Sequence, residues 1–139
     1  MIGVVIVGIL VALAIPSHRG FLDKADLRIA IADIRELEGL IDLYRAEYGV
    51  YPSNLADVNQ AGRLDPWGNA YEYFNVAGAG PGVAGRARKD RNLVPINSTY
   101  DLYSKGPDGD SQKSLRPKVS WDDVIRGRDG GYVGLASEY

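Results

Sequence analysis

Hydrophobic and polar positions divide this chain into three stretches with different patterns. Met1 to Ile15 (MIGVVIVGILVALAI) contains no charged or polar side chain, and Pro16 follows directly. From Leu27 onward, Leu27, Ile31, Ile34, Leu37, Ile41, Tyr44 and Tyr48 recur at spacings of three or four, the mark of an amphipathic helix. The remaining faces carry Asp23, Lys24, Asp26, Arg28, Asp33, Arg35, Glu36, Glu38, Asp42, Arg45 and Glu47, read as a solvated surface. Gly49 and Pro52 then supply a stop. One helix over residues 1–48 is expected, apolar all round in its first part and one-sided in its second, with a kink near Ala12 to Pro16 where proline removes a backbone donor.

Beyond residue 50, Gly, Pro, Asn and Asp become frequent and the apolar stretches shorten to strand length. Asn54 to Asn59 predicts a short helical turn, and Asp65-Pro66-Trp67-Gly68-Asn69 is dense in turn formers. Tyr71 to Val76 and Thr99 to Ser104 read as strands, the second with Tyr100, Leu102 and Ser104 on one face. A third strand is expected near Tyr132 to Leu135. A small antiparallel sheet packed on the stripe from Leu27 to Tyr48 would bury both apolar faces, an α+β arrangement with long loops. Trp67, beside a tight turn, reads as a packing residue.

Length sharpens the first stretch. At about 1.5 Å per residue, fifteen residues rise only ~22 Å, short of the ~30 Å hydrocarbon core of a bilayer. A helix of 48 residues would be ~72 Å long, more than a small domain can cover, so its first part is expected to project. A signal-peptide core fits poorly, because no basic residue precedes the run and no small-x-small cleavage site follows it.

Charge and composition mainly exclude. Sixteen Lys and Arg against eighteen Asp and Glu leave a net charge of −2, without the basic surface of a general nucleic-acid binder. Arg86, Arg88, Lys89 and Arg91 form a local basic run with no interleaved aromatic, which predicts a solvated loop or a contact to an acidic neighbour subunit. Cysteine is absent, so disulfides and thiolate chemistry are excluded. The single histidine, His18, flanks the apolar helix, and no nucleophile motif or phosphate loop appears; an enzyme is not expected. Two places gather carboxylates: Lys105-Gly106-Pro107-Asp108-Gly109-Asp110-Ser111 and Trp121-Asp122-Asp123-Val124. Spacing alone explains them as Asp-Gly turns and a cap.

The order of these features resembles the type IV pilins and type II secretion pseudopilins. It is carried by MIGVVIVGILVALAIP, the continuation KADLRIAIADIRELEGLIDLYRAEYG, the following VYP, and the DPWGNAY segment at Asp65 to Tyr71, similar to DPWGNPY in the major pseudopilins. The resemblance implies a pilin-like fold in two parts, a projecting N-terminal helix over 1–26 and a globular head over 27–139. It also implies a homo-oligomeric helical filament assembled through the apolar helix. Minor pilins, the inner-membrane assembly machinery and, before assembly, the lipid bilayer would be its partners. The location would be the bacterial inner membrane with the head in the periplasm, then a periplasmic or cell-surface filament.

Family members carry about six further residues before the position of Met1, including an acidic one used in assembly; adding them would lengthen the apolar helix to the ~30 Å of the bilayer core, so further residues ahead of Met1 are expected. The SKGPDG run followed by Asp122-Asp123 is similar to the family's calcium loop. The resemblance therefore implies one calcium ion held by the side chains of Asp108, Asp122 and Asp123 and the backbone carbonyls of Lys105 and Asp110. The spacer between the two halves is longer here, and the chain continues from Val124 to Tyr139 beyond the family's usual end. A long surface pilus or a membrane-anchored ligand-binding module are the alternative functions.

Overall fold

The computed structural model describes residues 23–139 in full, and of the earlier residues it gives only their inclusion in helix α1 (Ile2–Tyr48). The expected kink at Ala12 to Pro16 and the apolar surface of Met1 to Ile15 lie outside the described residues. Among the described residues no helix is long and apolar enough to cross a membrane.

Helix α1 ends where the sequence says it should. Gly49 adopts φ +75°, a left-handed conformation that costs glycine little, and its N–H bonds the Arg45 carbonyl at 2.8 Å. Asn54 caps the short 3-10 turn Leu55–Val58: its Oδ1 accepts from the Ala56 N–H at 2.8 Å, while Asp57 reaches back to the N–H groups of Ser53 and Asn54.

Four strands form one antiparallel sheet in the order of the chain: β1 (Glu72–Asn75), β2 (Tyr100–Ser104), β3 (Val124–Gly127) and β4 (Tyr132–Leu135). A short helix, α2 (Val83–Arg86), lies in the connection between β1 and β2. Helix α1 packs on one face of the sheet. Ala30, Ile34, Leu37 and Ile41 from the helix and Tyr100, Leu102 and Val124 from the strands are completely buried there. By area bookkeeping each such large side chain contributes roughly 1.5–3 kcal/mol. The helical stripe runs out at its end: Tyr44 is half-buried and Tyr48 is exposed, with their rings 4.5 Å apart.

The opposite face of the sheet is also covered. Ile125 packs with Ile96, Leu115 and Ala136, flanked by Tyr103, Tyr132 and Tyr139. The cover is irregular chain: Lys89 N–H bonds Lys113 O at 2.9 Å and Leu115 N–H bonds Lys89 O at 3.0 Å, tying the β1–β2 connection to the spacer before β3. This second layer explains two differences from the sequence reading. Asp101 in β2 is buried although the alternation placed it outward, and β3, unforeseen as a strand, is buried at all four positions with no alternation to reveal it.

Candidate functional site

The residues singled out by the sequence converge on the end of the sheet where β2 leaves and β3 begins. Two turns interlock there. Asp65, buried at the head of DPWGN, accepts from the N–H groups of Trp67 (3.0 Å) and Asn69 (2.8 Å) through Oδ1 and from the Ser104 hydroxyl through Oδ2 (2.5 Å). Asn69 then donates from Nδ2 to the Gly106 carbonyl at 3.0 Å, so the first turn holds the second. Trp67 packs partly buried against the main core, as its place beside the turn predicted.

Gly106 has φ +67°, and a Cβ there would stand 2.2 Å from the Asp122 carbonyl oxygen; the SKGPDG turn and the Asp122-Asp123 segment touch backbone to backbone. Asp122 Oδ2 accepts from the Asp108 N–H at 3.2 Å, and Asp108 Oδ1 accepts from the Asp110 N–H at 2.9 Å. Burial pushes the Asp122 carboxyl above its ordinary range, opposed by the backbone N–H groups of Asp108 and of Asp122 itself and assisted by the charge of Asp108. Its Oδ1 is buried without a hydrogen-bond partner. Asp108, Asp110 and Asp122 thus lie together. The ammonium of Lys105 points elsewhere, to Glu72 at 2.8 Å on the neighbouring strand.

Asp123 has a different neighbourhood. Its side chain is completely buried, and Oδ2 accepts from Arg88 Nη2 at 2.7 Å and from the Ser111 hydroxyl. Ser111 Oγ also accepts from Arg88 Nη1 at 2.9 Å, closing a three-residue ring. Burial pushes the Asp123 carboxyl up, and Ser111 and Arg88 pull it partly back. Arg88 is only 2% exposed, against the solvated loop expected for the run from Arg86 to Arg91. Its guanidinium carbon lies 4.0 Å over the Tyr103 ring, its N–H donates to Asp101 Oδ2 at 2.7 Å, and its carbonyl accepts from Ile96.

The sequence reading missed Arg88, Ser111 and Tyr103 as partners of this loop. One signal for Arg88 existed: a base-rich run in an acidic chain that also holds an unbalanced Asp-Asp pair. Calcium requires six to eight oxygens, including several carboxylates aimed at one point. Among the described residues no group of three or more acidic, histidine or cysteine side chains is disposed to hold a metal ion. Asp108 and Asp122 fit such a role, but Asp123 presents one oxygen to a guanidinium, so the expected set does not fit as a set.

Comparison with known proteins places this chain in a family by sequence. No family model matches the chain. The type II secretion system core protein G of Escherichia coli strain K12 is 31% identical over 131 residues, covering 79% of this chain and 78% of that protein. This chain belongs to the core protein G family of type II secretion. The family's proteins from Vibrio cholerae and Pseudomonas aeruginosa are 31% and 30% identical, each over 78% of this chain. A crystal structure of the major pseudopilin from the type 2 secretion system of enterohaemorrhagic Escherichia coli aligns with a TM-score of 0.48 at 22% identity, covering 77% of this chain and 90% of that one.

Proposed function

We propose that this chain is a structural, non-enzymatic subunit of a type II secretion pseudopilus that polymerises through its N-terminal helix. The observation that supports this most is the division of helix α1. The head takes up the stripe from Leu27 to Ile41, and the sequence ahead of that stripe holds the uncharged run from Met1 to Ile15. A run without a polar face needs lipid or protein on every side, so it serves as bilayer anchor before assembly and packs against sister helices afterwards. Small residues at Gly3, Gly8, Ala12 and Ala14 permit close helix approach in either setting. On this reading the head faces the periplasm. The working partners are further copies of the chain, minor pilins and the inner-membrane assembly machinery.

The test compares the full chain with one lacking Met1 to Ile15, each expressed in cells that carry a type II secretion assembly machinery. Negative-stain microscopy of sheared material should show filaments for the full chain, and size-exclusion chromatography should show a soluble monomer for the truncated one. Filaments from the truncated chain would refute the assignment. Long filaments on cells expressing the full chain at native level would move it to a surface pilus.

A further inference from the structure

We propose that the guanidinium of Arg88 takes the place in the C-terminal loop that a calcium ion was expected to fill, so that the head closes on a built-in cation and folds independently of the metal. This inference concerns the loop alone and holds whether or not the chain polymerises.

The loop brings carboxylates together that need a positive charge. Asp122 and Asp123 are adjacent, Asp108 lies against Asp122, and Asp123 is completely buried. A buried carboxylate is strongly unfavourable without a cation or several hydrogen bonds. Arg88 supplies that cation from the β1–β2 connection, 35 residues away, at 2.7 Å from Asp123 Oδ2.

The guanidinium is held from several sides. Ser111, from the turn that follows SKGPDG, bonds both members of the pair; Tyr103 lies beneath the guanidinium plane; and the backbone of Arg88 is fixed by Asp101 and Ile96. Arginine suits this position because its planar fork bonds two oxygen acceptors while stacking on an aromatic face. The longer spacer before Asp122 belongs to the same device. Through the bridges of Lys89 to Lys113 and Leu115 it lies alongside the segment that carries Arg88.

A divalent ion on the same carboxylate would meet a fixed positive charge at close range. The oxygens Asp122 Oδ1 and Asp123 Oδ1 remain without protein hydrogen bonds. They are the atoms on which a calcium ion would bear, so the experiment measures calcium directly.

The full chain in detergent is melted in excess EGTA and in calcium, alongside R88Q, D123N and the double variant R88Q/D123N. The wild-type Tm is expected to agree between EGTA and calcium within about 1 °C, whereas a site occupied at a hundredfold excess over Kd would raise it by roughly 5–10 °C. Each single variant should lose several degrees, and the double variant should recover part of the loss because no unpaired charge remains. A calcium-dependent rise in wild-type Tm that disappears in D123N would overturn the proposal. So would an R88Q protein as stable as wild type. If the single variants fail to fold, isothermal titration of calcium into the wild-type chain decides alone: no heat supports Arg88 as the cation, and stoichiometric binding refutes it.

Discussion

Arg126 Nε donates to Glu38 Oε1 at 2.7 Å, joining strand β3 to helix α1 across 88 residues of sequence in a pair that solvent scarcely reaches. The same guanidinium donates to Tyr100 O (2.9 Å) and Thr99 Oγ1 (3.1 Å) and lies 3.8 Å over the Tyr100 ring. Arg35 caps the other carboxylate oxygen at 2.9 Å and reaches Gly130 O at 2.8 Å. Helix, central strands and the β3–β4 turn are therefore held by one polar cluster set into an apolar layer.

Removing one member of that pair leaves a buried charge uncompensated. Glu38→Gln is expected to lower stability by about 3–5 kcal/mol, and the double variant Glu38→Gln/Arg126→Met by clearly less, since a buried pair replaced by matched uncharged groups is often close to neutral. Urea unfolding of the four members of this cycle measures the coupling. A double variant whose loss equals the sum of the two single losses would show that the pair does not act as a unit.

The Asp129 carboxylate gathers the loop before β2. It accepts from the N–H and hydroxyl of both Ser98 and Thr99, at 2.6–3.0 Å. Burial alone would raise its pKa; the hydrogen bonds from Ser98 and Thr99 outweigh burial and hold it below the ordinary carboxylate value. A depressed folded-state pKa means that the stabilisation is present in full above the unfolded value of about 3.9 and is lost as pH falls through the lower folded value. Asp129→Asn should thus flatten the acid limb of a stability-versus-pH curve below about pH 4 while costing about 1 kcal/mol at neutrality, because the group is partly exposed. An unchanged acid limb in the variant would remove Asp129 from the account.

Much of this fold could be read before any coordinates. The helix, its glycine stop, the capped turn after Asn54 and strands β1, β2 and β4 follow from local patterns whose causes are local. Strand β3 does not, because Val-Ile-Arg-Gly is short, lacks period-two alternation and contains a charged residue at its centre. Arg126 belongs in the core only because Glu38 meets it there. Glu38 in turn reads as one of many charges on a solvated helix until β3 is placed beneath it. Arg88 presents the same difficulty: a basic run looks like surface unless one knows that Asp123 lies behind it. Charges paired over long sequence distance were the part that no periodicity could show.

Asp65 is the hinge of the two interlocked turns and tests a motif that the sequence did identify. Asp65→Ala removes the acceptor for two backbone N–H groups and the Ser104 hydroxyl in a buried position. Leaving those donors unpaired should cost about 3–5 kcal/mol, of which Asp65→Asn recovers a part by keeping an oxygen at the same place. Hydrogen exchange at Trp67 and Asn69 should accelerate in step with the loss. Retained protection at both amides would mean that the turn is fixed by something other than Asp65.

Gly106 is the point where the second turn leaves no room for a side chain. Its φ of +67° is unfavourable for any residue with a Cβ, by about 1–2 kcal/mol, and that Cβ would fall 2.2 Å from the Asp122 carbonyl, a backbone atom that cannot swing aside. Gly106→Ala must therefore push the SKGPDG turn away from Asp122 or shift the start of β3. Adding an overpacking cost of roughly 1–3 kcal/mol gives a total loss of about 2–5 kcal/mol. Gly109 offers the internal control: its φ of +70° is similar, but its Cβ would meet the Asn69 side-chain oxygen at 3.0 Å, a side-chain atom that need give way by only a few tenths of an ångström, a shift its bond to the Gly106 carbonyl tolerates. Gly109→Ala should lose mainly the conformational share, about 1–2 kcal/mol. Denaturant unfolding of both variants checks the contrast, and equal losses at the two positions would show that the turn and the Asp122 segment are not in backbone contact in solution.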